Sequence, residues 1–215
     1  MEALCVLEGE YACMSNLNQL KFNDLAPDLE LLDTEGKKRK LSSLWEKNVL
    51  LLAFTRHFGC PQCKDMLDQL VQVHPELAKK GITLAVVAHA TPEAAKEFCA
   101  QRAPGILCLA DSDRSAYQAY GLGRGGLKET FLAPRVWRSN RNLRRTKGYK
   151  TELPPAGQDA YQMAGTFIIG TDGRIRLPYY YEDIADHPPV ELLLHGLMGM
   201  EWSEPLEKPL EDHEE

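Results

Sequence analysis

Two cysteines separated by two residues, in the motif Cys60-Pro61-Gln62-Cys63, are the part of this sequence best suited to chemistry. The hydrophobic run Val49 to Phe54 comes shortly before them and predicts a buried strand. Apolar residues at helical spacing follow the motif until Gly81 supplies a stop, which predicts a helix. Cys60 would then lie at or near the N-cap, with Pro61 in the first turn, where a proline costs no hydrogen bond.

The predicted position of the two thiols favours redox chemistry. Because Cys60 and Cys63 lie three residues apart on one helical turn, their sulfurs can approach closely enough to form a disulfide. The free N–H groups at a helix start also stabilise a thiolate there. We predict Cys60 as the attacking thiolate and Cys63 as the resolving thiol. Arg56 and His57 are expected to add positive potential or proton transfer, or else to be sheet-end residues that point elsewhere.

Other uses of the cysteines are weighed against this prediction. The CxxC could be a pair of inert thiols, although Gly59 and Pro61 frame it in a way that packing does not require. A zinc or iron–sulfur site needs two more ligands, and the remaining cysteines form no second CxxC, so we expect no metal and no cofactor within one chain. A cluster shared across a dimer stays open. The remaining cysteines are expected to be free and mainly packing residues, with a resolving or regulatory role open for the first two: Cys5, Cys13, Cys99 and Cys108.

The composition is that of an ordinary globular protein. The chain has 215 residues, of which 44% are hydrophobic and 26% charged, enough for a domain with a proper core and no disulfide scaffold. No apolar run approaches the roughly 18 residues of a membrane-spanning helix, and the N-terminal residues lack the pattern of a secretory signal. We therefore predict a cytoplasmic protein that makes no membrane contact and keeps most cysteines as thiols.

Strand and helix patterns alternate along the chain. Continuous apolar runs at residues 82–88 and 106–110 predict core strands that are covered on both faces. Turn-rich stretches at residues 33–36 and 171–173 predict two hairpins, and Pro178 marks the second as an edge strand. A terminal helix is predicted at residues 190–198. The succession predicts an α/β fold, with a central mixed sheet flanked by helices and a hairpin at its end.

Charge is distributed unevenly along the chain, whose net charge is −6. Nine basic residues lie between residues 121 and 150 and are opposed there only by Glu129, whereas seven acids lie among the last fifteen residues. These blocks could attract each other or an external partner. Residues 122–163 are either a lid or docking surface beside the dithiol, or a solvated basic face with Trp137 packed into the domain. Their aromatic residues lack the order of a base-stacking platform, so no nucleic-acid partner is expected.

Several stretches resemble a known family. Ala26-Pro27-Asp28, Asp111-Ser112-Asp113 and the stretch from Gly165 to Ile169 resemble landmarks of peroxiredoxin-type redoxins, and the stretch from Arg56 to Lys64 is similar to the active-site stretch of the peroxiredoxin-like 2 branch of the AhpC/TSA family. The resemblance covers about residues 25 to 198 and implies a thioredoxin-like fold. It divides the chain into three parts. Residues 1–24 are an N-terminal extension, residues 25–200 are a redoxin domain with a basic insertion at about 122–163, and residues 201–215 are an acidic tail.

The resemblance implies a thiol-based oxidoreductase that cycles Cys60 and Cys63 between dithiol and disulfide. Its substrate would be a peroxide, which passes Cys60 through a sulfenic acid, or a protein disulfide, which forms a mixed disulfide. Both routes need an external thiol reductant, such as a thioredoxin-type protein. A homodimer is also open.

The sequence departs from the family pattern at the active site. Typical peroxiredoxins have a proline and a threonine or serine where this chain has Ala53 and His57, and an arginine where it has Ala164. Those groups orient the peroxide and stabilise charge as its O–O bond breaks. Thioredoxins and glutaredoxins have a cis-proline where this chain has Gly165. A second class of function therefore stays open: a noncatalytic thioredoxin-like module that binds a partner through its basic insertion, gated by the redox state of the dithiol.

Overall fold

The strand β3 (Val49–Phe54) is buried along its whole length, and the fold is built on both of its faces. Because side chains alternate along a strand, its odd-numbered residues pack into one hydrophobic cluster and its even-numbered residues into another. Helices cover both faces of the sheet. The first cluster takes side chains from four helices and the second from two: Pro61–Lys79, Pro92–Arg102, Pro134–Thr146 and Val190–His195 for the first, and Ser42–Trp45 and Ser115–Ala119 for the second.

The computed structural model describes residues 19–196 and 201–202. Its elements, in chain order, are β1 (Glu30–Asp33), β2 (Lys38–Lys40), α1 (Ser42–Trp45), β3 (Val49–Phe54), α2 (Pro61–Lys79), β4 (Ile82–Ala88), α3 (Pro92–Arg102), β5 (Leu107–Ala110), α4 (Ser115–Ala119), a π-helical turn (Lys128–Leu132), α5 (Pro134–Thr146), β6 (Gly165–Ile169), β7 (Ile175–Tyr180) and α6 (Val190–His195).

The seven strands form one mixed sheet in the order β2-β1-β5-β4-β3-β6-β7. β3 pairs parallel to β4, and β4 parallel to β5, whereas the outer pairings are antiparallel. The predicted α/β fold and both hairpins are confirmed, and Pro178 lies in the edge strand β7. In the parts of the chain that the structure describes, no helix is long and apolar enough to cross a membrane.

Some predictions fall outside the described residues. The terminal helix is present as α6, which ends at His195, while residues 197 and 198 are not among those described. Cys5 and Cys13 also lie outside them, as does the acidic tail after Trp202.

The prediction that Cys99 and Cys108 are free thiols is wrong. Both are buried, as expected, but the structure joins them in a disulfide, with Cα atoms 6.6 Å apart. Cys99 lies on α3 and Cys108 on β5. The spacing of nine residues gives no hint of this pairing. It arises because α3 turns back to pack against the strand that follows it, so the two side chains meet in one apolar layer.

His187, whose two ring nitrogens are buried and have no hydrogen-bond partner among the described residues, should make the fold sensitive to acid. Its ring lies 5.0 Å from that of Tyr181, and burial lowers its pKa from 6.5 to about 4. Between these values the unfolded chain binds a proton that the folded protein does not. The part of the unfolding free energy that depends on the neutral His187 is therefore fully present above pH 6.5, and it is lost as the pH falls towards 4.

We expect this residue to account for about 2 kcal/mol of lost unfolding free energy between pH 7 and pH 5. Urea unfolding of the wild type and of a His187→Phe variant at both pH values would measure it. The variant should show the smaller loss on acidification, because phenylalanine has no proton to bind. An equal loss in both proteins would contradict this prediction.

Candidate active site

The CxxC begins helix α2, as predicted. Cys60 is the N-cap residue, Pro61 is the first helical residue, and Cys63 lies in the first turn. The Cys60 backbone N–H donates to the His57 carbonyl at 3.0 Å, which fixes a tight turn between the end of β3 and the helix. Both cysteine side chains are free thiols and buried, with 1% of each residue exposed. The two sulfurs therefore lie at the positive end of a helix that is shielded from water.

Arg56 ties the two cysteines together. Its guanidinium Nη1 donates to Cys60 Sγ at 3.4 Å, and its backbone N–H donates to Cys63 Sγ at 3.3 Å. The rest of the guanidinium is held by backbone carbonyls: Nε donates to Gln162 O at 2.9 Å, and Nη2 donates to Ala160 O. Since Arg56 is only 1% exposed, its charge acts on the thiols with little screening by water. The structure thus brings one of the two upstream residues into contact with both sulfurs.

The two thiols differ sharply in acidity. Burial tends to raise the pKa of Cys60, but a hydrogen bond from the Cys63 thiol and the nearby Arg56 charge outweigh it, and the pKa falls from 9.0 to about 6. The pKa of Cys63 is raised well above 9.0, because its proton is held in the hydrogen bond to Cys60 and because it is buried. The pair therefore holds one thiolate, on Cys60, and one protonated thiol, on Cys63, near neutral pH.

Positive potential is one of the roles that the sequence leaves open for His57, and the neutral imidazole does not supply it. Burial, reinforced by the charge of Arg56, lowers its pKa from 6.5 to about 4, so the imidazole is neutral near pH 7. His89 follows β4 and lies close enough to affect His57; burial lowers its pKa to about 4 as well. His57 Nδ1 is buried and has no hydrogen-bond partner among the described residues. A role in proton transfer therefore stays a prediction.

A long segment of the insertion, which we call the covering loop (residues 149–163), closes over the turn that carries Cys60. The Glu152 backbone N–H donates to Gly59 O at 3.1 Å. The Phe58 backbone N–H donates to the Gln158 side-chain oxygen Oε1 at 2.8 Å. With the two carbonyls that hold the arginine, these bonds attach the loop at several points. The loop is therefore part of the site, and we expect it to limit access to the dithiol.

Helix α5 lies beside the site. The Gln62 amide nitrogen donates to Asn140 Oδ1 at 2.7 Å, which links α5 to the middle of the CxxC. Val136 and Leu143 form the buried side of the helix. Of the two alternatives for the insertion, the one in which Trp137 packs into the domain is not observed, because 66% of this residue is exposed. The insertion therefore lies over the dithiol and also presents a tryptophan to solvent.

Sequence reasoning missed most of the groups that hold Arg56 and close the site. Two of the acceptors are backbone carbonyls, of Ala160 and Gln162, which leave no mark in a sequence. The side chains of Asn140 and Gln158 are ordinary polar residues whose position depends on the path of the insertion. Gly59 was the available signal, since a glycine next to a cysteine can mark a close approach of another chain segment.

Gly59 is required by the covering loop. A Cβ atom at this position would lie 2.5 Å from Glu152 O and 2.7 Å from Leu153 O, and both are backbone atoms. We expect Gly59→Ala to displace the loop, to lower the unfolding free energy by about 1–3 kcal/mol, and to speed the reaction of Cys60 with a bulky aromatic disulfide reagent. Thiol release followed in a stopped-flow instrument would measure the rate.

Gly123→Ala is the matched control, because a Cβ there meets no atom within 4 Å. It should behave as the wild type in both measurements. If Gly59→Ala also left the reagent rate unchanged, the covering loop would not limit access to Cys60.

Within residues 19–196 and 201–202, no three His, Cys, Asp or Glu side chains lie close enough together to hold a metal ion. The groups that the structure places at the site are two thiols, a buried arginine and two neutral imidazoles.

Comparisons with known proteins agree with this fold. Residues 22–177 match the model of the AhpC/TSA family. The mouse (Mus musculus) protein Peroxiredoxin-like 2C is 22% identical over 179 residues, which cover 81% of this chain and 79% of that protein. Among solved structures, Peroxidoxin BcpB from Mycobacterium tuberculosis is 20% identical with a TM-score of 0.54, covering 73% of this chain and 83% of that one.

A yeast mitochondrial 1-Cys peroxiredoxin, whose thiol resolving mechanism runs via glutathione/thioredoxin systems, is 15% identical with a TM-score of 0.59; the match covers 82% of this chain and 74% of that one. Together with the mixed sheet and the position of the CxxC, the family match settles the classification. The chain belongs to the AhpC/TSA family, and its fold is thioredoxin-like.

Proposed function

We propose that this protein is a thiol-based oxidoreductase that cycles Cys60 and Cys63 between a dithiol and a disulfide, with a peroxide as the substrate that the geometry favours. The observation that carries the proposal is the contact of the Arg56 guanidinium with Cys60 Sγ, at 3.4 Å in a buried site. A cation there stabilises the thiolate before reaction and the charge that develops on oxygen as an O–O bond breaks. Arg56 can thus supply the positive charge that the family arginine provides in typical peroxiredoxins, where this chain has Ala164.

The proposed reaction with a peroxide has two steps. The Cys60 thiolate attacks one oxygen of R–O–O–H; the S–O bond forms as the O–O bond breaks, and the departing alkoxide takes a proton to leave as R–OH. Cys60 becomes a sulfenic acid, oxidised by two electrons. The Cys63 sulfur then attacks Cys60, its proton leaves with the hydroxyl group as water, and the disulfide closes. The raised pKa of Cys63 keeps it protonated until this second step.

The disulfide needs an external thiol reductant to restore the two thiols, and the reductant acts by thiol–disulfide exchange. The yeast structural relative, which is resolved via glutathione/thioredoxin systems, supports a reductant of that class. The same two cysteines can also reduce a protein disulfide, through a mixed disulfide on Cys60. The Cys60 burial favours the small substrate, because a protein disulfide has to displace the covering loop first.

Stopped-flow oxidation tests the proposal directly. The fully reduced protein is mixed with hydrogen peroxide in one experiment and with an oxidised protein disulfide in another, and formation of the Cys60–Cys63 bond is followed by mass spectrometry of quenched samples. A Cys99→Ser/Cys108→Ser variant serves as the background, so that Cys60 and Cys63 are the only cysteines within residues 19–196 that can be oxidised. Oxidation by peroxide well above the rate of a free thiolate is expected. A rate equal to that of a free thiolate would remove the peroxidase proposal and leave disulfide reduction or binding.

A noncatalytic binding module is the second candidate function, and the exposed Trp137 favours it. A buried dithiol beside a basic helix could report its redox state to a partner through the contact of Gln62 with Asn140. In that case peroxide would not react rapidly, and the affinity for the partner would change on oxidation. The cytoplasmic location, the division into domains and a homodimer stay predictions.

A further inference from the structure

The outer side of α5 carries positive charge that is not neutralised within the described structure. Four arginines are exposed there and form no ion pair with an acid in residues 19–196 or 201–202. The other arginine of this helix, Arg135, forms ion pairs with three acids. Lys147, the residue after the helix, forms ion pairs with two. The four lie along one face because helical positions three, four and seven apart are neighbours: Arg138, Arg141, Arg144 and Arg145.

Apolar side chains are exposed beside these arginines. Trp137 lies on the same side of α5 and is 66% exposed, whereas the other two tryptophans, Trp45 and Trp202, are 6% and 8% exposed. The Trp137 indole N–H donates to Phe131 O at 2.5 Å, which holds the ring against the π-helical turn. In that turn Leu132 is 61% exposed. We call Trp137, Leu132 and the four arginines the α5 face. An exposed apolar patch within a charged rim is typical of an interaction surface.

We propose that the α5 face binds residues 203–215 of the same chain, Ser-Glu-Pro-Leu-Glu-Lys-Pro-Leu-Glu-Asp-His-Glu-Glu. This segment has six acids and one lysine, with Leu206 and Leu210 between them. It therefore matches the α5 face in charge and in apolar surface. Its carboxylates can pair with the four arginines, and its two leucines can pack against Trp137 and Leu132. Its two prolines favour an extended path along the surface.

The segment can reach this surface. It follows Trp202, whose indole N–H donates to Leu193 O at 3.0 Å, so its starting point is fixed on α6. α5 and α6 both pack against α2, and Trp202 and Val136 of α5 belong to the same hydrophobic cluster. Packed helices lie roughly 8–10 Å apart, so α5 is about 20 Å from α6. Thirteen extended residues span about 40 Å, which is enough to run along the outer side of α5.

Acrylamide quenching of tryptophan fluorescence tests the proposal, because the quencher is neutral and Trp137 is the exposed tryptophan of the described structure. The wild type is compared, at low ionic strength, with a full-length variant in which the six acids are replaced by amides. The substitutions are Glu204→Gln, Glu207→Gln, Glu211→Gln, Asp212→Asn, Glu214→Gln and Glu215→Gln. We expect the quenching constant of the variant to be about twice that of the wild type or more. High salt should raise the wild-type value towards the variant, because it screens exposed charges.

Two further variants assign the effect. Arg138→Gln/Arg141→Gln/Arg145→Gln should raise quenching as the amide variant does. Replacing three exposed lysines by glutamine is the matched control for loss of charge and should leave quenching unchanged: Lys37, Lys47 and Lys79. In a Trp137→Phe background the differences should vanish.

Equal quenching in the wild type, the amide variant and the arginine variant would overturn the proposal. Protection of Trp137 that grows with protein concentration would also overturn it, because the occupant would then be a second copy of the chain. Neither result depends on catalysis, so the proposal stands or fails separately from the proposed oxidoreductase activity.

Discussion

Cys60→Ser is expected to abolish rapid oxidation of the reduced protein by hydrogen peroxide, whereas Cys63→Ser is expected to keep the first oxidation and to stop the second step. Cys60 is the thiol whose pKa is lowered to about 6, and it is therefore the nucleophile near neutral pH. A serine at position 63 still offers a hydroxyl that can donate to the Cys60 thiolate, so the attacking group stays activated. It has no sulfur to close a disulfide, and the sulfenic acid on Cys60 should accumulate.

Mass spectrometry after rapid quenching with a sulfenic-acid trap distinguishes these outcomes. Cys63→Ser should gain the trap on Cys60 at the wild-type rate, and Cys60→Ser should stay unmodified over the same time. Both variants are best made in the Cys99→Ser/Cys108→Ser background. Rapid oxidation of Cys60→Ser at Cys63 would show that the two roles are assigned the wrong way round.

Arg56→Met is expected to slow oxidation at pH 7 by about 100-fold. The guanidinium is one of the two main causes that lower the Cys60 pKa from 9.0 to about 6. Without the guanidinium the Cys60 pKa should rise, so less of the thiol is ionised at pH 7, and the charge that develops on oxygen loses its stabilising cation. The variant also loses the bonds to the carbonyls of Ala160 and Gln162, so the covering loop is held less firmly.

The pH profile separates a charge effect from a folding defect. Thiolate absorbance in the ultraviolet should titrate at higher pH in Arg56→Met than in the wild type, and the variant should regain rate as the pH approaches 9. A folding defect would give no such recovery. Arg102→Met is the matched control, since Arg102 contacts the Tyr149 hydroxyl and neither cysteine of the CxxC. An Arg56→Met variant that titrates like the wild type would contradict the assignment.

Local patterns predict the part of the site that is local in sequence. The strand, the tight turn and the helix start place Cys60 at the N-cap, and each of these elements is specified by residues within about twenty positions of the motif. The asymmetry between the thiols follows in direction from the same pattern, because a helix start favours a thiolate. The sequence therefore predicts which cysteine attacks.

The environment of the thiols depends on long-range contacts that no local pattern specifies. The bonds of Arg56 to the covering loop span 104 and 106 residues of sequence. The low pKa of His57 results from its burial and from the neighbouring charges of Arg56 and His89, which no local pattern could specify. The disulfide between Cys99 and Cys108 has the same origin, since it depends on how α3 returns to the sheet. Tertiary packing, rather than residue type, decided each of these cases.

The burial of the dithiol has a kinetic consequence. With 1% of Cys60 exposed, the proposed reaction would take place in a minor conformer in which the covering loop has moved. At low oxidant concentration the observed rate is then the product of the open population and the intrinsic rate of the thiolate. At high concentration it reaches a plateau set by loop opening, the same for every oxidant. The protein would then distinguish between oxidants only at low oxidant concentration. At high concentration the rate of loop opening would limit turnover, whatever the reactivity of the substrate.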